Sequence, residues 1–315
     1  MSPNTLSEQA LLTFADADKS PLSIRAKALV FIDPRSRELR DQVEQLATQP
    51  LPLLIEGETG TGKELLARHI HRASERPGLF VAISCSGLSP QYAQAELFGY
   101  AAGAHHGNSS SRAGWFGSAN NGTLYLDEIG DLSPELQEDL LSALETGETW
   151  RVGAKQPTPV DVRLLAATSI NLEQAVSAGK FNERLYRYLI DGRITLPPLR
   201  ERVGDILPLA EYFLGIYAQR LNVPLPEISD EAQRRLELHS WPGNTRELEN
   251  AIHFALLVSS GPELLSEHLN LVEQRPTVES IEDSINSFIR RASHSDLYEL
   301  QKLIAAQLER LTERL

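Results

Sequence analysis

The chain has 315 residues, 41% hydrophobic and 23% charged, a composition typical of globular proteins and long enough for about two domains. The formal net charge of −13 disfavours non-specific binding to nucleic acid, and the single cysteine, Cys85, excludes an internal disulfide. No apolar run approaches the ~20 residues of a membrane span, and residues 1–20 lack the apolar segment of a signal peptide, so we expect a cytoplasmic protein.

The first part of the chain predicts strands that alternate with helices. An apolar run at 28–32 is followed by Asp33-Pro34, a typical helix start, and that helix ends before Pro50. A helix is also predicted over 134–144. Alternation of this kind indicates a mostly parallel sheet with helices on both faces. The later runs that predict strands cover residues 53–55, 80–83, 122–128 and 160–169.

A glycine-rich turn follows the strand at 53–55 and leads into a helical pattern. Its spacing, Gly57-x4-Gly62-Lys63, fits a P-loop, in which backbone N–H groups and a helix N-terminus surround phosphate oxygens and Lys63 adds a full charge. Glu64 stands where Ser or Thr usually contacts Mg²⁺. The residues predicted to bind nucleotide in this stretch are Gly57, Glu58, Thr59, Gly60, Thr61, Gly62, Lys63 and Glu64.

Two adjacent carboxylates, Asp127 and Glu128, end the apolar strand at 122–128. Acids at this place can also cap a helix. A P-loop upstream favours a nucleotide site, in which Asp127 holds Mg²⁺ directly or through water and Glu128 polarises the attacking water. We therefore predict ATP and Mg²⁺ as ligands.

From Asp205 onward only helical periodicity appears, with helices predicted over 206–214, 232–238 and 247–258. The tail ends in an amphipathic pattern that predicts a helix, either docked on the body or paired with another helix. Its apolar residues are Leu297, Leu300, Ile304, Leu308, Leu311 and Leu315. We predict an arm over 1–27, an α/β nucleotide-binding domain over 28–203, a helical domain over 204–275 and a helical tail over 276–315.

Five motifs together resemble the AAA+ domain of sigma-54-dependent transcriptional activators, the bacterial enhancer-binding proteins. The resemblance covers roughly residues 28–272, and Glu64 is usual in that family. The motifs are Gly57-Glu58-Thr59-Gly60-Thr61-Gly62-Lys63-Glu64, Ala95-Glu96-Leu97-Phe98-Gly99, Gly122-Thr123-Leu124-Tyr125-Leu126-Asp127-Glu128-Ile129-Gly130, Leu196-Pro197-Pro198-Leu199-Arg200-Glu201-Arg202 and Trp241-Pro242-Gly243-Asn244-Thr245-Arg246-Glu247-Leu248.

The resemblance implies an AAA+ P-loop ATPase with a small all-α lid domain. Such a protein assembles into a ring, usually a hexamer, and remodels RNA polymerase bound to sigma-54. The resemblance also implies that Arg246 reaches the nucleotide phosphates from the lid. Thr168 and Ser169 then occupy the sensor position on the central sheet.

Three departures from the family pattern affect the expected mechanism. The family loop Gly-Ala-Phe-Thr-Gly-Ala is replaced at 103–108 by a segment with His105-His106, so the aromatic and the threonine that contact sigma-54 are both missing. Ser84 replaces an asparagine that links nucleotide state to that loop. The family's two arginine fingers fall on Asn182 and Tyr188. The candidate fingers here are Arg184 and Arg187.

These observations leave three functions open. The first is an ATP-dependent activator that remodels the sigma-54 RNA polymerase holoenzyme as a homo- or hetero-hexamer. The second is a nucleotide-binding regulatory subunit that co-assembles with or restrains a partner activator. The third is an AAA+ remodeller with another client. No helix-turn-helix is visible after Pro276, so we expect no DNA-binding domain, and no receiver or sensory domain is visible before residue 28. Because no apolar run is long enough to span a membrane, we also expect no membrane association.

Overall fold

The computed structural model of the protein describes residues 11–13, 28–104 and 110–271. The strands are β1 Leu11–Thr13, β2 Ala28–Val30, β3 Leu53–Glu56, β4 Phe80–Ser84, β5 Thr123–Asp127, β6 Glu148–Thr149, β7 Thr158–Pro159, β8 Arg163–Thr168, β9 Arg193–Thr195, β10 Glu227–Ile228 and β11 Glu263–Leu264. The helices are α1 Pro34–Ala47, α2 Lys63–Ala73, α3 Ala93–Phe98, α4 Gly114–Ser118, α5 Pro134–Thr146, α6 Leu172–Ser177, α7 Glu183–Ile190, α8 Ile206–Leu221, α9 Asp230–Leu238 and α10 Asn244–Val258.

A five-stranded parallel sheet with strand order β4-β5-β8-β3-β9 forms the centre of the nucleotide-binding part. Because all five strands point the same way, their carboxyl ends meet at one edge of the sheet. The register brings Glu56 at the end of β3 beside Thr168 of β8, and Asp127 of β5 beside Ser84 of β4. The P-loop and the adjacent carboxylates therefore emerge at the same edge.

The two faces of the sheet pack separate apolar layers. One layer joins α1 and α2 to β3 and β8 through residues such as Val43, Leu66 and Ile55. The other joins β5 and β8 to α5 and α7 through residues such as Leu140 and Leu185. Strands that are buried on both faces read as continuous apolar runs, which explains the sequence pattern of β3, β5 and β8.

The α/β class with a mostly parallel sheet and a helical second part is confirmed. Helix α1 begins after Asp33, whose side chain accepts the Arg35 N–H and caps the helix. Features that were not predicted include the antiparallel pairing of β1, in the N-terminal arm, with β2, the edge strand β9, the hairpin β6–β7, and a short parallel pairing of β10 with β11 among the lid helices. Within the described residues, no helix is both long and apolar enough to cross a bilayer.

The chain divides into two units, residues 1–270 and 271–315. Helices α8, α9 and α10 lie in the first unit, and the Tyr217 ring of α8 stacks on His253 of α10 with centroids 4.1 Å apart. The predicted domain boundaries stay predictions. The His105-His106 loop, the amphipathic tail and most of the N-terminal arm lie outside the described residues.

A buried carboxylate, Asp205, ties the lid to the start of the nucleotide-binding part. Asp205 is fully buried and accepts the backbone N–H groups of Ile32 and Asp33, both at 2.8 Å, and the Ser36 hydroxyl. The buried guanidinium of Arg202 lies 3.8 Å away and donates to the Thr61 carbonyl at 3.0 Å. Asp205 and Arg202 therefore connect β2 and α1 to the P-loop.

We predict that Asp205→Ala lowers the free energy of unfolding by about 3–5 kcal/mol, because it leaves the buried Arg202 without its counter-ion and the N–H groups of Ile32 and Asp33 without their acceptor. Urea denaturation measures this loss. Asp41→Ala is the matched control, since that carboxylate is exposed and its contact with Arg40 is a surface pair, and its effect should stay within about 0.5 kcal/mol. A loss below about 1 kcal/mol for Asp205→Ala would contradict the assigned role.

Candidate active site

The P-loop turns from β3 into α2 through backbone conformations that favour glycine. Gly60 has φ of +83° and Gly62 has φ of +106°, values that side chains with a Cβ rarely adopt. A Cβ on Gly60 would also lie 2.3 Å from the Gly243 carbonyl oxygen of the lid. The loop can therefore take this path only with glycine at both positions, and it packs directly on the lid.

Lys63 is the first residue of α2 and its side chain is almost fully buried, with 6% exposed. Its ammonium group donates to the Gly57 carbonyl at 2.8 Å and to Glu128 Oε1 at 3.3 Å. A buried cation needs such acceptors. The same charge, at the N-terminal end of a helix, suits the phosphates of a nucleotide.

Asp127 ends β5 beside this lysine. Its Oδ1 accepts the hydroxyl of Tyr125 at 3.0 Å. Burial raises the pKa of the Asp127 carboxyl, while the Tyr125 hydrogen bond and the Lys63 charge act in the opposite direction. A bound cation would favour the ionised form of this carboxylate.

Glu128 has a left-handed backbone conformation, with φ of +51°. Such a conformation is uncommon for a residue other than glycine and clusters at functional sites. One carboxylate oxygen, Oε1, faces Lys63, while the other, Oε2, accepts the backbone N–H of Ser169 at 2.8 Å and its hydroxyl at 2.9 Å. The left-handed backbone conformation directly after β5 thus directs the Glu128 side chain across the sheet edge to Ser169, directly after β8.

A second polar network holds the P-loop to the lid. Arg200 donates two hydrogen bonds to the Glu58 carboxylate, and this contact holds the pKa of Glu58 below its usual range. The buried amide of Asn244 donates to Glu58 Oε2 at 3.0 Å and to the Thr59 carbonyl at 3.1 Å, and accepts the Leu199 N–H at 2.8 Å. Asn244 therefore joins the P-loop, the short helical turn at Leu199 and the start of α10.

These elements enclose one pocket between the sheet edge and the lid. Its floor is the P-loop, and its lid side includes Arg246, whose backbone N–H donates to the Gly60 carbonyl at 3.3 Å. The pocket brings cations, carboxylates and a glycine turn together, the combination that binds a nucleoside triphosphate. Its lining consists of Ala28, Thr59, Gly60, Gly62, Lys63, Glu64, Leu65, Tyr125, Asp127, Glu128, Phe213, Thr245, Arg246 and Glu249.

Some predicted site residues lie beside this pocket rather than in its lining. Gly57 and Thr61 belong to the same turn, and the Gly57 N–H donates to the Thr168 carbonyl at 3.2 Å. The Thr168 hydroxyl pairs with the backbone of Ile170, not with a group in the pocket. Glu64 does contribute to the lining, but its carboxylate accepts hydrogen bonds from Arg68 on its own helix, 2.8 Å at the closest.

Arg184 and Arg187 lie on α7, outside the pocket. Both side chains are more than 70% exposed, and they pair with Glu145 and Glu183 respectively. The structure therefore does not place either arginine against the nucleotide pocket of its own chain. Their predicted role, which requires a neighbouring subunit, stays a prediction.

Sequence reasoning missed Tyr125, Glu249 and the Glu58–Asn244 contact as parts of this site. Tyr125 lies in an apolar strand and reads as a core aromatic. Asn244 carried one usable signal, because Asn tolerates the left-handed backbone conformation that it adopts here, with φ of +53°.

The donor set at the pocket fits a magnesium ion bound together with a nucleotide. Mg²⁺ usually takes one or two carboxylates and completes its shell with water and phosphate oxygens. In the described part of the chain, no group of three or more His, Cys, Asp or Glu residues could hold a metal by itself. Asp127 offers the carboxylate, and Lys63 lies nearby for the phosphates. The site therefore suits a Mg²⁺ ion that is bound jointly by a protein carboxylate and a nucleotide.

Residues 29–195 match the family described as the Sigma-54 interaction domain, and residues 200–283 match the AAA+ ATPase lid domain. The chain is 46% identical over 295 residues to the sigma54-dependent transcriptional activator SfnR of Pseudomonas putida, covering 92% of this chain and 80% of the relative. It is 45% identical over 245 residues to the anaerobic nitric oxide reductase transcription regulator NorR of Aeromonas hydrophila, covering 76% of this chain and 48% of that one.

The fold is also similar to that of NtrX from Brucella abortus in its crystal structure with ADP. The TM-score is 0.71 at 30% identity, and the similar region covers 82% of this chain and 59% of NtrX. A second NtrX structure, in complex with ATP, gives the same TM-score at 31% identity and covers 86% of this chain and 64% of that one. The chain thus spans about half of NorR and about three fifths of NtrX.

The contacts of Glu128 generate a prediction. Because Ser169 fixes one oxygen of this carboxylate, Ser169→Ala should lower kcat for ATP hydrolysis by about tenfold and leave KM within about twofold, the loss of one hydrogen bond to a charged group. Steady-state ATPase assays measure both constants.

Two further variants test the specificity of that effect. Ser169→Thr keeps a hydroxyl and should retain most of the rate. Ser177→Ala removes a hydroxyl that donates to the Glu173 carbonyl at 2.9 Å on α6, away from the pocket, and should change nothing. An unchanged kcat in Ser169→Ala would show that the backbone N–H alone holds Glu128.

Proposed function

The chain belongs to the sigma-54-dependent activator family of AAA+ proteins, and from that membership we propose that it binds and hydrolyses ATP and uses the energy to remodel sigma-54 RNA polymerase. One observation carries the proposal: Lys63, Asp127 and Glu128 come from two different strand–loop junctions and line one pocket against the lid. That combination suits phosphoryl transfer to water.

In the proposed reaction the P-loop amides and Lys63 bind the β- and γ-phosphates. Lys63 exchanges its contact with Glu128 for a phosphate oxygen, and Ser169 keeps Glu128 in place. Glu128 then orients a water molecule for attack on the γ-phosphate. Asp127 would hold Mg²⁺ together with the phosphates, and the bound metal would neutralise charge on the phosphate oxygens. Arg246 closes the site from the lid.

The client of this activity is proposed from family membership. NtrX structures with ADP and ATP support a nucleotide ligand for the similar region, and the Sigma-54 interaction domain supports sigma-54 as the partner. The candidate arginines on α7 lie away from the pocket of their own chain, so they would reach a nucleotide only in a neighbouring subunit. We therefore expect the protein to act as a ring. A hexamer is the assembly that we expect.

A second candidate is a regulatory subunit that binds ATP and restrains or joins a partner activator. One contact favours it: the Ser84 hydroxyl, at the position of the family asparagine, pairs with the Ser86 hydroxyl at 3.0 Å and not with Glu128. A link from nucleotide state to the loop at 103–108 through this residue is therefore missing from the described contacts.

The two candidates differ in how ATPase activity depends on concentration. A self-sufficient activator hydrolyses ATP alone, with a specific rate that rises with protein concentration as rings form, and co-elutes with sigma-54 in the presence of an ATP transition-state analogue. A regulatory subunit is slow alone at every concentration, changes the rate of a partner activator, and does not retain sigma-54.

Lys63→Ala should weaken ATP binding by at least tenfold, roughly 1.4 kcal/mol, because the phosphates lose a buried cation. Glu128→Gln should keep nucleotide affinity and stop turnover, because it keeps the shape of the site but loses the carboxylate. Calorimetry and ATPase assays measure the two effects. Normal ATP affinity in Lys63→Ala would remove the P-loop interpretation, and normal turnover in Glu128→Gln would assign the water to another residue.

Arg187→Ala should abolish the concentration-dependent part of the ATPase rate if this arginine reaches the neighbouring nucleotide, since such arginines contribute about 10³–10⁵ in rate. The simpler interpretation is a surface pair with Glu183, one turn back on α7, worth only a few tenths of a kcal/mol. Arg184→Ala tests the second candidate. Arg234→Ala, on the exposed face of α9, is the control. An unchanged rate in both α7 variants would leave both arginines as surface residues.

A further inference from the structure

A tyrosine hydroxyl lies at the buried side of the proposed magnesium site. Tyr125 is 1% exposed, yet it contributes to the lining of the nucleotide pocket. Its hydroxyl donates to Asp127 Oδ1 at 3.0 Å. The two residues are two positions apart on β5, and alternate residues of a strand share a face, so the contact is built into the strand.

The ring of Tyr125 is held in one position by its neighbours. In the sheet it lies between Ala82 of β4 and Leu165 of β8. It also stacks on Phe80, with ring centroids 5.9 Å apart. The Arg68 guanidinium lies over the Phe80 ring, 4.7 Å from its centroid. A ring fixed in this way gives its hydroxyl a fixed position at the end of the strand.

Packing alone does not require that hydroxyl. The ring belongs to the apolar layer that joins α2 to the sheet, and phenylalanine would fill the same volume without a polar atom to satisfy. A buried hydroxyl is costly unless it is hydrogen-bonded. Its partner in the structure is the carboxylate that is predicted to hold the cation.

We propose that the Tyr125 hydroxyl is a positioning group for magnesium binding, acting through Asp127. The inference rests on the proposed ATPase function. The hydroxyl occupies Oδ1 and restricts rotation of the carboxylate, which leaves Oδ2 for the cation or one of its waters. A carboxylate that is already oriented loses less freedom when it binds the metal, and partners of this kind typically contribute 10–100-fold in metal affinity.

The test uses calorimetric titration of the full chain with ATPγS, once with Mg²⁺ and once with EDTA. The ratio of the two Kd values is the magnesium enhancement. Tyr125→Phe should reduce this enhancement by about tenfold while the Kd in EDTA stays within about twofold of that of the unmodified chain. A purely structural role would weaken nucleotide binding with and without the metal.

A double-mutant cycle separates action through Asp127 from any other effect. In an Asp127→Ala background, Tyr125→Phe should cause no further change in the magnesium enhancement. Tyr186→Phe is the matched control, because its hydroxyl donates to the Glu173 carboxylate at 2.9 Å outside the pocket, and it should keep the full enhancement.

Three results would overturn the inference: an unchanged enhancement in Tyr125→Phe, an equal loss of affinity in EDTA and in Mg²⁺, or an effect of the same size in the Asp127→Ala background. The proposed ATPase function survives each of these results. A chain that binds no ATPγS in either condition would overturn that function together with the inference.

Discussion

The buried charge of Lys63 is the constraint on which the site depends. An ammonium group with 6% exposure is stable only beside fixed acceptors, and those acceptors come from two places, the P-loop carbonyl of Gly57 and the carboxylate of Glu128. Strand β8 separates β3 from β5. Because β8 is parallel to both, its carboxyl end lies at the same edge, and Ser169 after β8 holds the second oxygen of Glu128 there.

The same loop is also fixed from the lid side. The P-loop at Gly60 approaches Gly243 so closely that no side chain fits between them, and Asn244 connects the loop to the backbone of Leu199. The Glu58–Arg200 pair adds a more exposed contact across the same boundary. Any displacement of the P-loop backbone would therefore break contacts with the lid.

Sequence reasoning found the elements that have strong local signals. The P-loop and the Asp127-Glu128 pair are specified by spacing and by adjacent apolar strands, so their convergence followed from parallel topology. The hairpin β6–β7 and the β10–β11 pairing are two-residue ladders, too short for any periodicity. The contacts of Asn244 join residues that are distant in sequence, and the polar contact of Tyr125 is hidden in an apolar strand, so local pattern does not reveal either role.

The arginine positions of α7 show how helix stability and function compete for the same side chains. Asn182 stands at a family finger position, but its side chain accepts the N–H groups of Arg184 and Leu185 and caps the helix. Tyr188, at the other position, donates to the Leu144 carbonyl at 3.4 Å. Both positions are thus occupied within the chain. The ion pairs of Arg184 and Arg187 are exposed, and breaking such pairs costs only about 0.2–1 kcal/mol. Either arginine can therefore leave its present partner at little cost, and its action on a neighbouring subunit stays a prediction.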